Sequence, residues 1–189
     1  MVYDLQNHKD APELTLHAVH TYIWSLTPEA AKYLCQEVFT ESEHKKVLDC
    51  ISSLGPDPHL DALRACLLVF SVSDGRVVPR EFQLTAGLAA FWRKHAIINA
   101  GTGSGKTLSM VIPLLMDPEA VSIIVSPLKR LQITQAEELE RFLLKPLVIN
   151  QDMDLSPLQI QVLRVAFWLC HLPRVPQHHS TLRSAHITR

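Results

Sequence analysis

The stretch NAGTGSGKTL, Asn99 to Leu108, decides how the rest of the chain is read. Gly101, Gly103 and Gly105 let a backbone curl until its N–H groups face inward, which makes an anion-binding nest at the positive end of a following helix. Lys106 adds a charge for the β and γ phosphates of a nucleotide, and the Thr107 hydroxyl can ligate Mg²⁺. One position departs from the general phosphate-loop pattern G-x-x-x-x-G-K-[ST], because Ala100 stands where that pattern has its first glycine. A short β-branched run, HAIIN (95–99), precedes the loop, and a helical run, KTLSMVIPLLM, follows it. A chance glycine turn would not need this strand–loop–helix context, and a phosphate loop does.

The chain around it has 189 residues, enough for one domain or one domain plus a partial one. Nearly half the residues are apolar and a fifth are charged, a balance that argues for a packed core. The net charge is −1, so nucleic-acid binding would need a local basic surface and cannot come from bulk charge. Cys35, Cys50, Cys66 and Cys170 stand singly in apolar stretches. With no CxxC pair they read as buried free thiols of an intracellular protein. No charged-then-apolar leader opens these residues, and no apolar run is long enough to span a membrane. An intracellular location without membrane contact is therefore expected; a nuclear one rests on the resemblance given below.

Three regions follow from the patterning. Residues 1–75 read as a helical extension. Thr27-Pro28 is an N-cap and first-turn proline, Thr40 and Glu43 have capping-box spacing, and Asp57-Pro58 opens a third helix. Residues 76–155 alternate between helical runs and strand candidates, namely HAIIN, AVSIIVS (120–126) and PLVIN (146–150). Such alternation predicts an α/β fold with a parallel sheet and flanking helices. Residues 156–189 form an atypical tail: SPLQIQVLRVAFWLC is apolar nearly all round, and the segment beyond it lacks periodicity and is expected to be disordered. His178 and His179 lack further ligands at zinc spacing and read as tail residues.

Ala100 narrows the reading. A-x-T-G-x-G-K-T is the loop form of superfamily 2 helicases of the DEAD-box and RecQ-like types, and Ala100 to Thr107 resembles it at every fixed position, with Thr102 and Ser104 included in the loop. Upstream, PREFQ places Arg80 and Gln83 in an R-x-x-Q arrangement similar to the helicase Q motif, in which the glutamine reads the adenine edge. A carboxamide suits that task, since it can donate to N7 and accept from the N6 amino group. Downstream, IIVSPLKRLQITQ resembles the RecQ-type motif Ia, with Ser126, Pro127, Leu128, Leu131 and Gln135 at matching offsets. In that family this segment touches the nucleic-acid backbone. A serine hydroxyl and exposed helix N-terminal amides suit a phosphate, and Lys129 and Arg130 add charge.

The resemblance covers about residues 76 to 150 and implies a partial RecA-like ATP-binding domain of an ATP-dependent DNA helicase. ATP, Mg²⁺ and nucleic acid, DNA rather than RNA, would be its ligands. Lys106 and Thr107 would be its catalytic pair, with Arg80, Gln83 and residues 100–107 holding the nucleotide. One part of the family pattern is missing. Hydrolysis also needs a D-E-x-D or D-E-x-H motif, whose aspartate holds Mg²⁺ and whose glutamate orients water. Neither form occurs in these residues, and Asn150 and Gln151, followed by Asp152 and Asp154, occupy the strand end where the acids belong. The expectation is a helicase-like chain truncated after motif Ia, binding nucleotide or nucleic acid with hydrolysis and unwinding in doubt.

Overall fold

The computed structural model describes residues 15–40, 44–149 and 186–188. Seven helices and two strands occur among the described residues: α1 (Leu16–Ser25), α2 (Pro28–Val38), α3 (Lys45–Ser52), α4 (Pro56–Val72), α5 (Glu81–Phe91), β1 (Ile97–Asn99), α6 (Thr107–Met116), α7 (Lys129–Glu140) and β2 (His186–Thr188). The local signals place most helix starts. Thr27 caps α2, its hydroxyl accepting from the Ala30 N–H at 3.2 Å, with Pro28 in the first turn. Thr15 caps α1 in the same way. The third predicted helix starts slightly earlier than Asp57, because Gly55 is the N-cap and Pro56 opens α4. The N-cap of α3 is His44, and the Glu43 half of the expected capping box lies outside the described residues.

Each short helix buries one stripe at i, i+4 spacing: Val19 and Ile23 on α1, Ala31 and Cys35 on α2, Val47 and Ile51 on α3. These stripes close on α4, whose Ala62 to Val69 segment is buried over most of its circumference. The same apolar core continues through Leu84 and Leu88 of α5 and Val111, Ile112 and Leu115 of α6. No described helix is long and apolar enough to cross a membrane.

Alpha5 and α6 are in close contact at Gly87. A Cβ there would lie 2.7 Å from the Ile112 Cβ, closer than packed carbons tolerate. Glycine therefore sets the spacing of the two helices that flank the phosphate loop.

The parallel sheet predicted from the strand candidates is not seen among the described residues. HAIIN contributes β1, and its described partner is β2, paired parallel over three residues with Ile98 opposite Ile187. AVSIIVS and residues 146–149 have no strand structure. Ile123 and Val125 are 70% and 89% exposed, so this β-branched run is not buried as an inner strand would be. The physical reason lies in the packing: α4, α5 and α6 bury their apolar faces on one another, and no described strand flanks residues 120–126. Of the expected tail, only residues 186–188 are described.

Of the described thiols, two are buried as the sequence suggests, whereas Cys50 is only partly buried. Cys35 and Cys66 are buried free thiols, and the Cys35 Sγ donates to the Leu63 carbonyl at 3.7 Å. Burial pushes the Cys35 pKa from 9.0 up to about 12 and raises that of Cys66. A thiol that ionises more readily when unfolded gives stability that is intact below pH 9 and lost as pH climbs toward 12. Thermal midpoints measured across that window should fall, and the fall should be shallower in Cys35→Ala. In a separate test, Gly87→Val should cost about 1–3 kcal/mol in chemical denaturation, as overpacking does.

Candidate nucleotide site

The loop leaves β1 at Asn99 and enters α6 at Thr107. Gly103 and Gly105 take φ of +76° and +78°, the left-handed region that side chains disfavour. Between them the chain folds back, with the Ser104 N–H donating to the Gly101 carbonyl at 3.3 Å. Among the described residues, the N–H groups of Gly105, Lys106 and Thr107 have no backbone acceptor. They stand at the first turn of α6, where an anion is favoured. The Lys106 ammonium donates to the Ala100 and Gly101 carbonyls, each at 2.8 Å, and so lies across the mouth of the loop. Ala100 serves through its carbonyl, which any residue would supply. Thr102 is exposed, whereas the Ser104 hydroxyl is buried without a partner.

Arg80 and Gln83 are brought to this loop by the start of α5. Arg80 is the N-cap and Gln83 the third helical residue. The Gln83 Oε1 accepts from the Arg80 N–H at 2.7 Å, half of a capping box. Its Nε2 donates to the Gly105 carbonyl at 2.9 Å and to the Ser104 carbonyl at 3.2 Å. The Arg80 guanidinium reaches the same Ser104 carbonyl at 3.5 Å, a marginal contact. Gln83 is only 5% exposed.

Residues 100–107 suit a polyphosphate on these observations. The open N–H groups and Lys106 supply the charge complement, and Cβ atoms at Gly101 or Gly103 would meet nothing within 4 Å. Thr107 is the first residue of α6, and its hydroxyl would hold a Mg²⁺ ion.

A second group forms at the start of α7. Ser126 is 9% exposed and its hydroxyl is unpartnered, while its carbonyl accepts from the Gln132 Nε2 at 2.8 Å. Pro127, Lys129 and Arg130 are exposed beside it. Sequence reasoning passed over Gln132 because Gln135 fits the motif spacing; only the fold shows that Gln132 braces the Ser126 peptide. Asn150, Gln151, Asp152 and Asp154 lie outside the described residues, as do His178 and His179. Among the described residues, no three His, Cys, Asp or Glu side chains are grouped to hold a metal ion.

Residues 80–164 match the family model of the DEAD/DEAH box helicase. The match begins at Arg80 and takes in the Gln83 helix, the phosphate loop and the Ser126 group. It supports a superfamily 2 helicase N-terminal domain here, and with it an ATP-binding, helicase-like function. Domains of that family have a RecA-like fold and generally use ATP with Mg²⁺, although the sheet of that fold is not seen among the described residues. Comparison with curated proteins gives no match. Comparison with solved structures gives none either.

The three loop glycines should not respond equally to alanine. Gly101→Ala meets neither positive φ nor a neighbour and should leave stability unchanged. Gly103→Ala should cost about 1–2 kcal/mol through its left-handed backbone. Gly105→Ala should cost more, because its Cβ would also sit 2.7 Å from the Gln83 Nε2. Thermal denaturation of the three variants gives the order.

Proposed function

We propose that this chain binds Mg²⁺–ATP through residues 100–107 as the nucleotide-holding part of an ATP-dependent, RecQ-like DNA helicase. The observation that carries the reading is the loop itself: two glycines at positive φ, open N–H groups at the head of α6, and Lys106 poised across the mouth. Lys106 would exchange its two carbonyl partners for phosphate oxygens. The Thr107 hydroxyl would hold Mg²⁺, which supplies charge neutralisation to the β and γ phosphates when bound. Ser126, Pro127, Lys129 and Arg130 would meet a nucleic-acid phosphate. The buried, unpartnered Ser126 hydroxyl and the first turn of α7 support that role. The preference for DNA, the RecQ-like type and the nuclear location rest on the SPLKRLQITQ resemblance.

A second reading is binding without turnover. It is favoured by one observation, that no D-E-x-D or D-E-x-H occurs in these 189 residues. Among the described residues, none is identified to orient the attacking water.

Titration with a fluorescent ATP analogue tests the site. Lys106→Ala should weaken binding about tenfold or more, the loss expected for charge-assisted hydrogen bonds. Phosphate release measured with single-stranded DNA separates the two readings. Turnover abolished in Lys106→Ala supports the enzyme, and binding without turnover supports the second.

A further inference from the structure

We propose that Gln132 is a positioning residue for the phosphate contact at the start of α7. It holds the Ser126 peptide on the helix, so that the Ser126 hydroxyl and the first-turn amides meet one phosphate of a single strand. The role rests on the reading of Ser126, Lys129 and Arg130 as a nucleic-acid contact. It adds a residue at a position that the motif spacing leaves open, between Leu131 and Gln135. Gln132 is the fourth residue of α7, and its Nε2 donates to the Ser126 carbonyl at 2.8 Å. That carbonyl belongs to the Ser126–Pro127 peptide, so the bond ties the plane of this peptide to the helix one turn on. The Gln132 N–H donates in turn to the Leu128 carbonyl at 3.1 Å. Side chain and backbone of one residue thus reach back over the whole turn.

Little else among the described residues fixes this junction. Pro127 has no N–H to give, the N-cap Leu128 makes no side-chain cap bond, and residues 120–126 belong to neither described strand. The Arg130 and Leu131 N–H groups stand among the first-turn amides that lack an intrahelical acceptor, and a phosphate suits them. Two polar atoms at the junction are buried without a partner, the Ser126 hydroxyl and the Gln132 Oε1. A buried hydroxyl left unpaired is costly, and donating to a phosphate oxygen relieves that cost. On binding, rotation about χ1 brings the Ser126 hydroxyl to the phosphate while Gln132 keeps the peptide in place. Gln132 carries no charge, and its unpartnered Oε1 is an acceptor that no phosphate oxygen can satisfy. Its contribution is therefore preorganisation of the contact and not attraction.

The test titrates the full chain with a fluorescein-labelled oligothymidylate over a series of salt concentrations, in wild type, Gln132→Met and Arg130→Ala. Gln132→Met removes the bond at similar length and should weaken binding about three- to tenfold, the worth of one hydrogen bond. Its slope of log affinity against log salt should equal that of wild type, because no charged contact is lost. Arg130→Ala should lower that slope by about 0.7, the value for one phosphate of a single strand. Hydrogen exchange in the unliganded chain gives a readout independent of any ligand. The Arg130 and Leu131 amides should exchange faster in Gln132→Met, while amides of α4 keep their protection. Gln132→Lys, whose ammonium can donate to the same carbonyl, should restore the slower exchange. Binding by Gln132→Met as tight as wild type, a salt slope lowered as in Arg130→Ala, or no restoration by Gln132→Lys overturns the role of Gln132. Undiminished binding and an unchanged slope in Arg130→Ala would instead overturn the nucleic-acid reading of this junction, and the Gln132 proposal with it.

Discussion

The contact between α5 and α6 at Gly87 and Ile112 is the constraint on which the rest of the site depends. Gln83 and Gly87 are four residues apart, and so lie on one face of α5. The missing side chain at Gly87 brings that face down on Ile112, and the approach carries Gln83 to the loop that precedes α6. A wider spacing between these helices would take the carboxamide away from the Ser104 and Gly105 carbonyls. Packing in the core and geometry in the loop are therefore a single arrangement. The glycine in the helix and the glycines in the loop serve the same end from two directions.

The helical N-terminal region fixes the far end of α6. The His20 ring lies 3.0 Å from the Met116 carbonyl, the last residue of α6, where helix carbonyls lack intrahelical donors. That ring stacks on Trp24 at 4.0 Å, and the Arg64 guanidinium of α4 lies over the same indole while bonding the Trp24 carbonyl. Alpha4 closes the core between them. The phosphate-loop helix is thus held at its first turn through the loop that Gln83 braces, and at its last turn by α1. Pro113 interrupts the hydrogen-bond ladder of α6, since it offers no N–H to the Ser109 carbonyl, and the external grips matter more for that reason.

What was legible in the sequence was whatever local chemistry decides. Thr27-Pro28, the stripe of Val47 and Ile51, and the Gly-Lys-Thr ending each act within one or two turns, and each is found where its pattern placed it. The sheet was less legible. The run AVSIIVS signals apolar, β-branched chain, but a strand exists only when a neighbour supplies its hydrogen bonds. Composition cannot say whether that neighbour is there. The partners of Gln83 were hidden for a related reason. They are backbone carbonyls 21 and 22 residues away, and nothing in their side chains announces them. The spacing from Arg80 to the loop pointed to Gln83, but not to what its carboxamide holds.

These two kinds of dependence bear on what the site can do. The phosphate grip is made of backbone N–H groups, one ammonium and one hydroxyl, and the backbone part needs only glycine at the left-handed positions and a helix behind it. Such a grip is robust, because few side chains can spoil it. Hydrolysis is more demanding, since a water must be oriented by an acidic side chain at a set distance from the bound phosphate. No D-E-x-[DH] pattern in these residues offers that acid. The Thr107 hydroxyl would hold a Mg²⁺ ion, a cation that in general needs few protein ligands because it dehydrates reluctantly. Holding a nucleotide and cutting it are separable by this chemistry, and the proposed site rests on the first.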